Sequence, residues 1–243
     1  MPAAANSADH LLAQAIQLLN AGQRAAARTV CEQALAKAPR HAALLQLLAL
    51  LCLQQGDTAG ARRHIAASLA LRPGHGPSLL IAGDAARAEG DLPAALAYHT
   101  EAQALMPQRP DARYALAQTH YACGRIDDAA RGFEAVVAMV PAHADAWFDL
   151  ALARQDLRAF DGAAEALRQV LRLAPQRAEP EVNLGIVLQE AGRIDEALQA
   201  YARAYRARED SFGRIAHALA AAPQGRLWLD LGALRDSLTA MPG

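Results

Sequence analysis

A step of 34 residues runs through this chain. Proline stands at Pro39, Pro73, Pro107, Pro141 and Pro175, each one step after the last. Glycine keeps the same step at Gly22, Gly56, Gly90, Gly124 and Gly192, with Arg158 in the one place it leaves. Alanine keeps it without a gap at Ala27, Ala61, Ala95, Ala129, Ala163 and Ala197. A small residue also recurs at Ala15, Ala49, Gly83, Ala117, Ala151 and Gly185. The phrase is nearly verbatim in CGRIDDAARGF at 123–133 and AGRIDEALQAY at 191–201. A period of this length describes stacked units, each too small to bury its own apolar face and each dependent on its neighbours.

The punctuation gives the contents of one unit. Glycine takes positive φ readily, so it ends one helix and reverses the chain. Proline, one helix later, stops the second helix and sets its exit. Two helix-length segments lie between such marks, for example 110–122 and 126–139. The abundance of Ala and Leu over branched and aromatic residues favours helix over strand. Small residues let the two helices approach, and larger ones such as Leu48, Leu116, Trp147, Leu150, Phe133, Leu167 and Tyr201 fill the seam.

With its small–Gly–Ala–Pro pattern and stretches such as ADAWFDLALA and FDGAAEALRQVLRLAP, the chain resembles the tetratricopeptide-repeat family. The resemblance implies an all-α, right-handed α-solenoid of about six tetratricopeptide helix pairs with C-terminal capping helices. It assigns 1–7 to a flexible N-terminus, 8–211 to six repeats and 212–243 to a capping helix and a docking or capping segment. The first repeat departs from the pattern at Gln14, where a large apolar residue is usual, and the sixth has Glu209 in place of the closing proline.

In such arrays the first helix of each pair lines the concave face, and its inward residues recur at i, i+3, i+7 and i+10. That row reads Leu12, Ile16 and Leu19; Gln46, Leu50 and Leu53; Leu80, Asp84 and Arg87; Tyr114, Gln118 and Tyr121; Phe148, Leu152 and Gln155; Val182, Ile186 and Gln189. Of these, Leu50, Leu53, Leu80, Asp84, Arg87, Tyr114, Gln118, Tyr121, Phe148, Leu152, Gln155 and Ile186, together with Asn183, form the expected partner-binding groove. Helix 42–53 is apolar on every side, which calls for burial on every side, and the sequence assigns the remaining cover to a partner or a second copy. Two groove chemistries of the family find little support. The places of a carboxylate clamp hold Leu12 and Ile16, and those of an asparagine ladder read Ala13, Leu47, Ile81, Ala115, Asp149 and Asn183.

Other constellations have structural readings. His41, His75 and His143 each follow a repeat-closing proline by two residues, at places too far apart to share a metal, and read as polar linkers. His64, His99 and His120 show no metal-ligand spacing. Cys31 and Cys52 read as packed thiols near a repeat junction, and Asp127, Asp128, Asp195 and Glu196 as charges that favour helix N-termini. No catalytic, metal or cofactor site is expected.

A net charge of −1 offers no broad field for a nucleic acid. The stretch 42–53 is too short to span a bilayer, and the start lacks a secretory pattern, so a cytoplasmic location is expected. The ending RLWLDLGAL contains Leu227, Trp228, Leu229 and Leu231, read as a second cap or as a docking segment anchored by Trp228. The functional expectation is a scaffold that binds a protein or peptide in its groove. The rival readings are an accessory subunit of a glycosyl- or sulfotransferase-type system and a self-associating homo-oligomer.

Overall fold

The structure, a computed structural model, describes residues 2–221 and 231–241. The described residues form fourteen α-helices and one 3₁₀ turn, with no strand. Two compact units divide the chain, Met1–Cys123 and Gly124–Gly243.

The N-terminal unit contains α1 (Pro2–Asn20), α2 (Arg24–Lys37), α3 (Ala42–Gln54), α4 (Thr58–Leu71), α5 (Gly76–Ala88), α6 (Leu92–Leu105) and α7 (Pro110–Ala122). Each helix packs against the next, and α3 also touches α5, as α5 touches α7. The C-terminal unit contains α8 (Ile126–Met139), α9 (Ala144–Asp156), α10 (Phe160–Leu173), α11 (Glu179–Glu190) and α12 (Ile194–Ala207). A 3₁₀ turn (Glu209–Ser211), α13 (Phe212–Ala221) and α14 (Leu231–Ala240) follow. The segments 110–122 and 126–139 are helices as the punctuation predicts.

The turn residues behave as their register demands. Gly22, Gly56, Gly90, Gly124 and Gly192 have φ between 72° and 81°, and Arg158, in the fifth of the six places, follows them at 58°. Both small-residue registers lie inside, with Ala15, Ala27, Ala49 and Ala61 fully buried. Histidine does more than link: His41 and His143 cap α3 and α9 by accepting from the amides of Leu44 and Ala146. His75 holds the corresponding place before α5 and bonds the Ser78 hydroxyl through Nδ1 at 2.9 Å.

Helix α1 spans Pro2–Asn20 and so takes in most of the stretch 1–7. Proline is favourable in a first helical turn and the alanines after it have the highest helix propensity, so the helix extends through them. The all-apolar α3 is also covered from within its own unit. Leu44, Leu47, Leu48, Leu51 and Cys52 share one core with Ala8 and Ala15 of α1, Cys31 of α2, Ala61 of α4 and Ala85 of α5. Four neighbouring helices cover most of α3 and leave the row Gln46, Leu50 and Leu53 partly open. At the other face of the array's first repeat, Gln14 and Gln17 are exposed where Leu48 and Leu51 are buried in the second.

Beyond the sixth repeat, α13 packs against α11, and α14 packs against α12 through the buried Leu234 and Leu238. Arg235 lies over the Phe212 ring at 4.4 Å, and Arg206 donates to the Met241 carbonyl at 3.0 Å. Leu227, Trp228 and Leu229 lie outside the described residues, as does Asp230, while Leu231 is 56% exposed.

Candidate functional site

Burial along the first helices isolates a narrow stripe. On α3 the partly open positions from Ala43 onward are Gln46, Leu50 and Leu53, up to the exposed Gln54. On α5 they are Pro77, Leu80, Asp84 and Arg87, up to the exposed Ala88. This is the spacing i, i+3, i+7, i+10 that a helix presents to one side while its other faces are packed. On α7 the expected Tyr114, Gln118 and Tyr121 are partly open too. Leu50 and Leu53 lean on the core formed by Ala49, Ile65, Ile81 and Ala82. In the first repeat Ile16 is exposed on α1, between the half-buried Leu12 and Leu19.

The stripe of the N-terminal unit carries one ion pair, Arg87 Nη2 to Asp84 Oδ1 at 3.0 Å, among neutral side chains. Behind it sits His99, fully buried on α6, with Nδ1 2.7 Å from the Thr119 hydroxyl of α7. Burial is the first cause that pushes this imidazole below the ordinary histidine range, opposed by the Asp84 carboxylate. The sequence reading passed over this group. Its signal was the register: His99 stands where the other repeats have Cys31, Ile65, Phe133, Leu167 and Tyr201, and it faces Gly83 rather than an alanine.

In the C-terminal unit, taken by itself, the corresponding row is less open. Phe148, Leu152 and Gln155 are partly open on α9, but the Arg177 guanidinium lies 5.3 Å from the Phe148 ring centroid and Gln155 donates to Glu190 at 2.8 Å. On α11 Val182, Asn183 and Gln189 are buried and Ile186 is partly open. Arg214 of α13 donates to Asn183 Oδ1 at 3.1 Å, and the Tyr201 hydroxyl donates to Gln189 Oε1 at 2.8 Å. Glu181, also buried, is paired with Arg203. Asn183, the polar group expected to greet a partner on α11, is therefore bonded within the unit, as are Glu181 and Gln189.

No three His, Cys, Asp or Glu side chains gather to hold a metal among the described residues. Cys31 and Cys52 are buried free thiols, and burial raises the Cys31 thiol to about 11, which keeps it protonated and unreactive at neutral pH. No helix among the described residues is long and apolar enough to cross a membrane.

Comparison with known families decides the lineage. A tetratricopeptide-repeat model matches residues 18–80 and 86–153, and a second tetratricopeptide-repeat model matches 53–112 and 150–212. The chain belongs to the tetratricopeptide-repeat family. No curated protein sequence matches it. Among solved structures, the Cut9–Hcn1 hetero-tetramer of APC/C aligns with a TM-score of 0.76 at 19% identity, over 87% of this chain and 43% of that one. Pseudomonas aeruginosa pilF aligns with a TM-score of 0.72 at 17% identity, over 85% of this chain and 94% of that one. YrrB, described as a tetratricopeptide-repeat protein with an unusual peptide-binding site, aligns with a TM-score of 0.63 at 16% identity, over 74% of this chain and 93% of that one. At these identities the likeness is one of fold. Tetratricopeptide-repeat proteins are generally protein-interaction scaffolds, and the repeat fold is typically non-catalytic.

Proposed function

We propose that this tetratricopeptide-repeat protein is a non-catalytic adaptor that holds a partner polypeptide against the stripe of its first helices. The observation that carries the reading is the stripe itself: Gln46, Leu50 and Leu53, then Leu80, Asp84 and Arg87, then Tyr114, Gln118 and Tyr121. A helix that is packed elsewhere yet leaves one row of apolar and aromatic side chains partly open offers area that water solvates poorly. Tyrosine and phenylalanine add large contact area at low entropic cost. The peptide-binding site of YrrB and the hetero-tetramer of Cut9 are features of those proteins, and they support the choice of a polypeptide partner over a nucleic acid. In the C-terminal unit Leu152 and Ile186 are partly open and form a separate proposed contact row, whereas Asn183 is left out because Arg214 already occupies it.

The test begins with the full chain as bait and mass spectrometry of what it retains, followed by a synthetic peptide of the retained segment. The Tyr114→Ala/Tyr121→Ala variant, with both changes on α7, is expected to bind that peptide at least about tenfold more weakly, or ~1.4 kcal/mol. A folded double variant with unchanged affinity removes these rings from the site.

A further inference from the structure

Within the N-terminal unit, His99 sits where three helices meet. Its Nε2 lies 3.3 Å from the Leu80 carbonyl of α5 and 3.7 Å from Oδ1 of Asp84, while its Nδ1 is 2.7 Å from Thr119 Oγ1 of α7. Thr119 Oγ1 is in turn 2.9 Å from the Ala115 carbonyl. The charges acting on the imidazole are those of Asp84 and Arg87 on α5, and α7 brings the Thr119 hydroxyl.

These distances satisfy two protonation states with the heavy atoms in one place. In the neutral state Nε2–H donates to the Leu80 carbonyl and the Thr119 O–H donates to Nδ1. When a solvent proton adds at Nδ1, the new N–H donates to Thr119 Oγ1, whose own O–H turns to the Ala115 carbonyl. Neither state leaves a buried hydrogen without an acceptor, which is the usual obstacle to charging a buried imidazole. The remaining requirement is a counter-charge, and Asp84 is within reach, on the stripe, with its side chain 41% exposed. At present that carboxylate bonds Arg87, whose Nε has no acceptor.

We propose that His99 is a proton switch that exchanges the partner of Asp84. Protonation draws the carboxylate from Arg87 to the imidazolium and leaves the Arg87 guanidinium unpaired on the stripe. The wall of the N-terminal unit then passes from neutral to cationic in acid, a charge that attracts an acidic segment. Burial places the change on the acid side of 6.5. The exchange is a property of the free chain and stands or falls apart from the proposed function. Only its bearing on the choice of partner rests on that reading.

The test uses long-range ¹H–¹⁵N spectra of the full chain from about pH 7.5 to about pH 4.5, with His99 assigned by its loss in His99→Gln. The expected result is an Nε2–H tautomer at the upper end that gains an Nδ1–H with a midpoint below 6.5, and an Arg87 Nε–H resonance that moves with the same midpoint. In Asp84→Asn the His99 midpoint is expected to fall by at least about 0.5, and Arg87 to stop moving with it. An imidazole that stays neutral until the chain unfolds, or one that titrates while Arg87 remains still, overturns the proposal. An unchanged His99 midpoint in Asp84→Asn overturns it equally.

Discussion

The third and sixth repeats each bury a polar ring at the same place in the period, and each makes room for it in the same way. His99 faces Gly83 and Tyr201 faces Gly185; a Cβ added to either glycine would lie 2.3 Å from the ring. Both rings are fully buried. Elsewhere the period uses a plainer pairing: Ala49 shares a core with Ile65, and Ala15 with Cys31. The difference between the two glycine repeats is in the chemistry of the polar atom. The imidazole can accept a proton and is paired with the Thr119 hydroxyl, whereas the phenol can only lose one and donates to Gln189. One architecture thus carries an acid-sensitive group in one unit and an alkali-sensitive group in the other.

The largest expected effect is steric. Glycine to alanine in a helix interior ordinarily gains up to ~1 kcal/mol. At Gly83 and Gly185 the added methyl meets a ring that fills the seam, and overpacking of this kind costs ~1–3 kcal/mol. Gly83→Ala and Gly185→Ala are therefore each expected to destabilise, as read by urea denaturation. The contact with the opposing ring should show as non-additivity: His99→Ala is expected to cost less in the Gly83→Ala background than in the wild type, and likewise Tyr201→Ala in the Gly185→Ala background. If either glycine accepts alanine with a gain in stability, its seam is looser than that of its counterpart and the likeness between the two repeats is broken.

The next effect separates the two repeats by pH. Burial lowers the His99 pKa beneath 6.5, so as pH falls through 6.5 the unfolded chain takes up the proton first and folding loses stability down to the folded value. Burial first, and Glu190 second, raise the Tyr201 pKa above 10.0, so the loss there begins as pH rises past 10.0, when the unfolded chain gives up its proton first. Either arm can steepen by at most ~1.4 kcal/mol per pH unit for one proton. Melting curves across pH should show that His99→Gln flattens the acid arm alone and Tyr201→Phe the alkaline arm alone. A variant that flattens both arms, or neither, would show that these rings do not govern the two flanks.

This comparison also shows which parts of the molecule the sequence could reveal. The period, the turn glycines and the bounds of α7 and α8 follow from residues whose effect is local, so they were legible. The stripe on α3 and α5 was legible for the same reason: the helical repeat alone picks out Leu50, Leu53, Leu80, Asp84 and Arg87. What escaped depends on contacts between elements. Most of the cover of α3 comes from four other helices, and no periodicity within 42–53 names them. The closing of α11 depends on Arg214, which lies beyond the last repeat and so outside the register. His99 was legible as an exception to its register, but its pairing with Thr119 joins two repeats and has no sequence spacing of its own.

The smallest expected effect tests whether turn and seam use glycine for different reasons. At Gly56, φ is 77° and a Cβ would meet nothing within 4 Å, so there the requirement is on the backbone and not on space. Arg158 holds the equivalent place in the fifth repeat at φ 58°, and its guanidinium lies 5.2 Å from the Phe160 ring centroid. A left-handed conformation costs a residue with a Cβ ~1–2 kcal/mol. Glycine relieves that strain but loses more entropy on folding, ~0.5–1 kcal/mol, and gives up the contact with the ring. Arg158→Gly should therefore lie close to the wild type. Arg158→Ala keeps the strain and loses the same contact, so it isolates the backbone: glycine is expected to exceed alanine by ~1 kcal/mol. Because no titrating group is involved, that gap should hold across the pH range, unlike the changes at His99 and Tyr201. Equal stability of the two variants would mean that the turn bears no strain at 158, and that the period keeps its glycines for a reason other than φ.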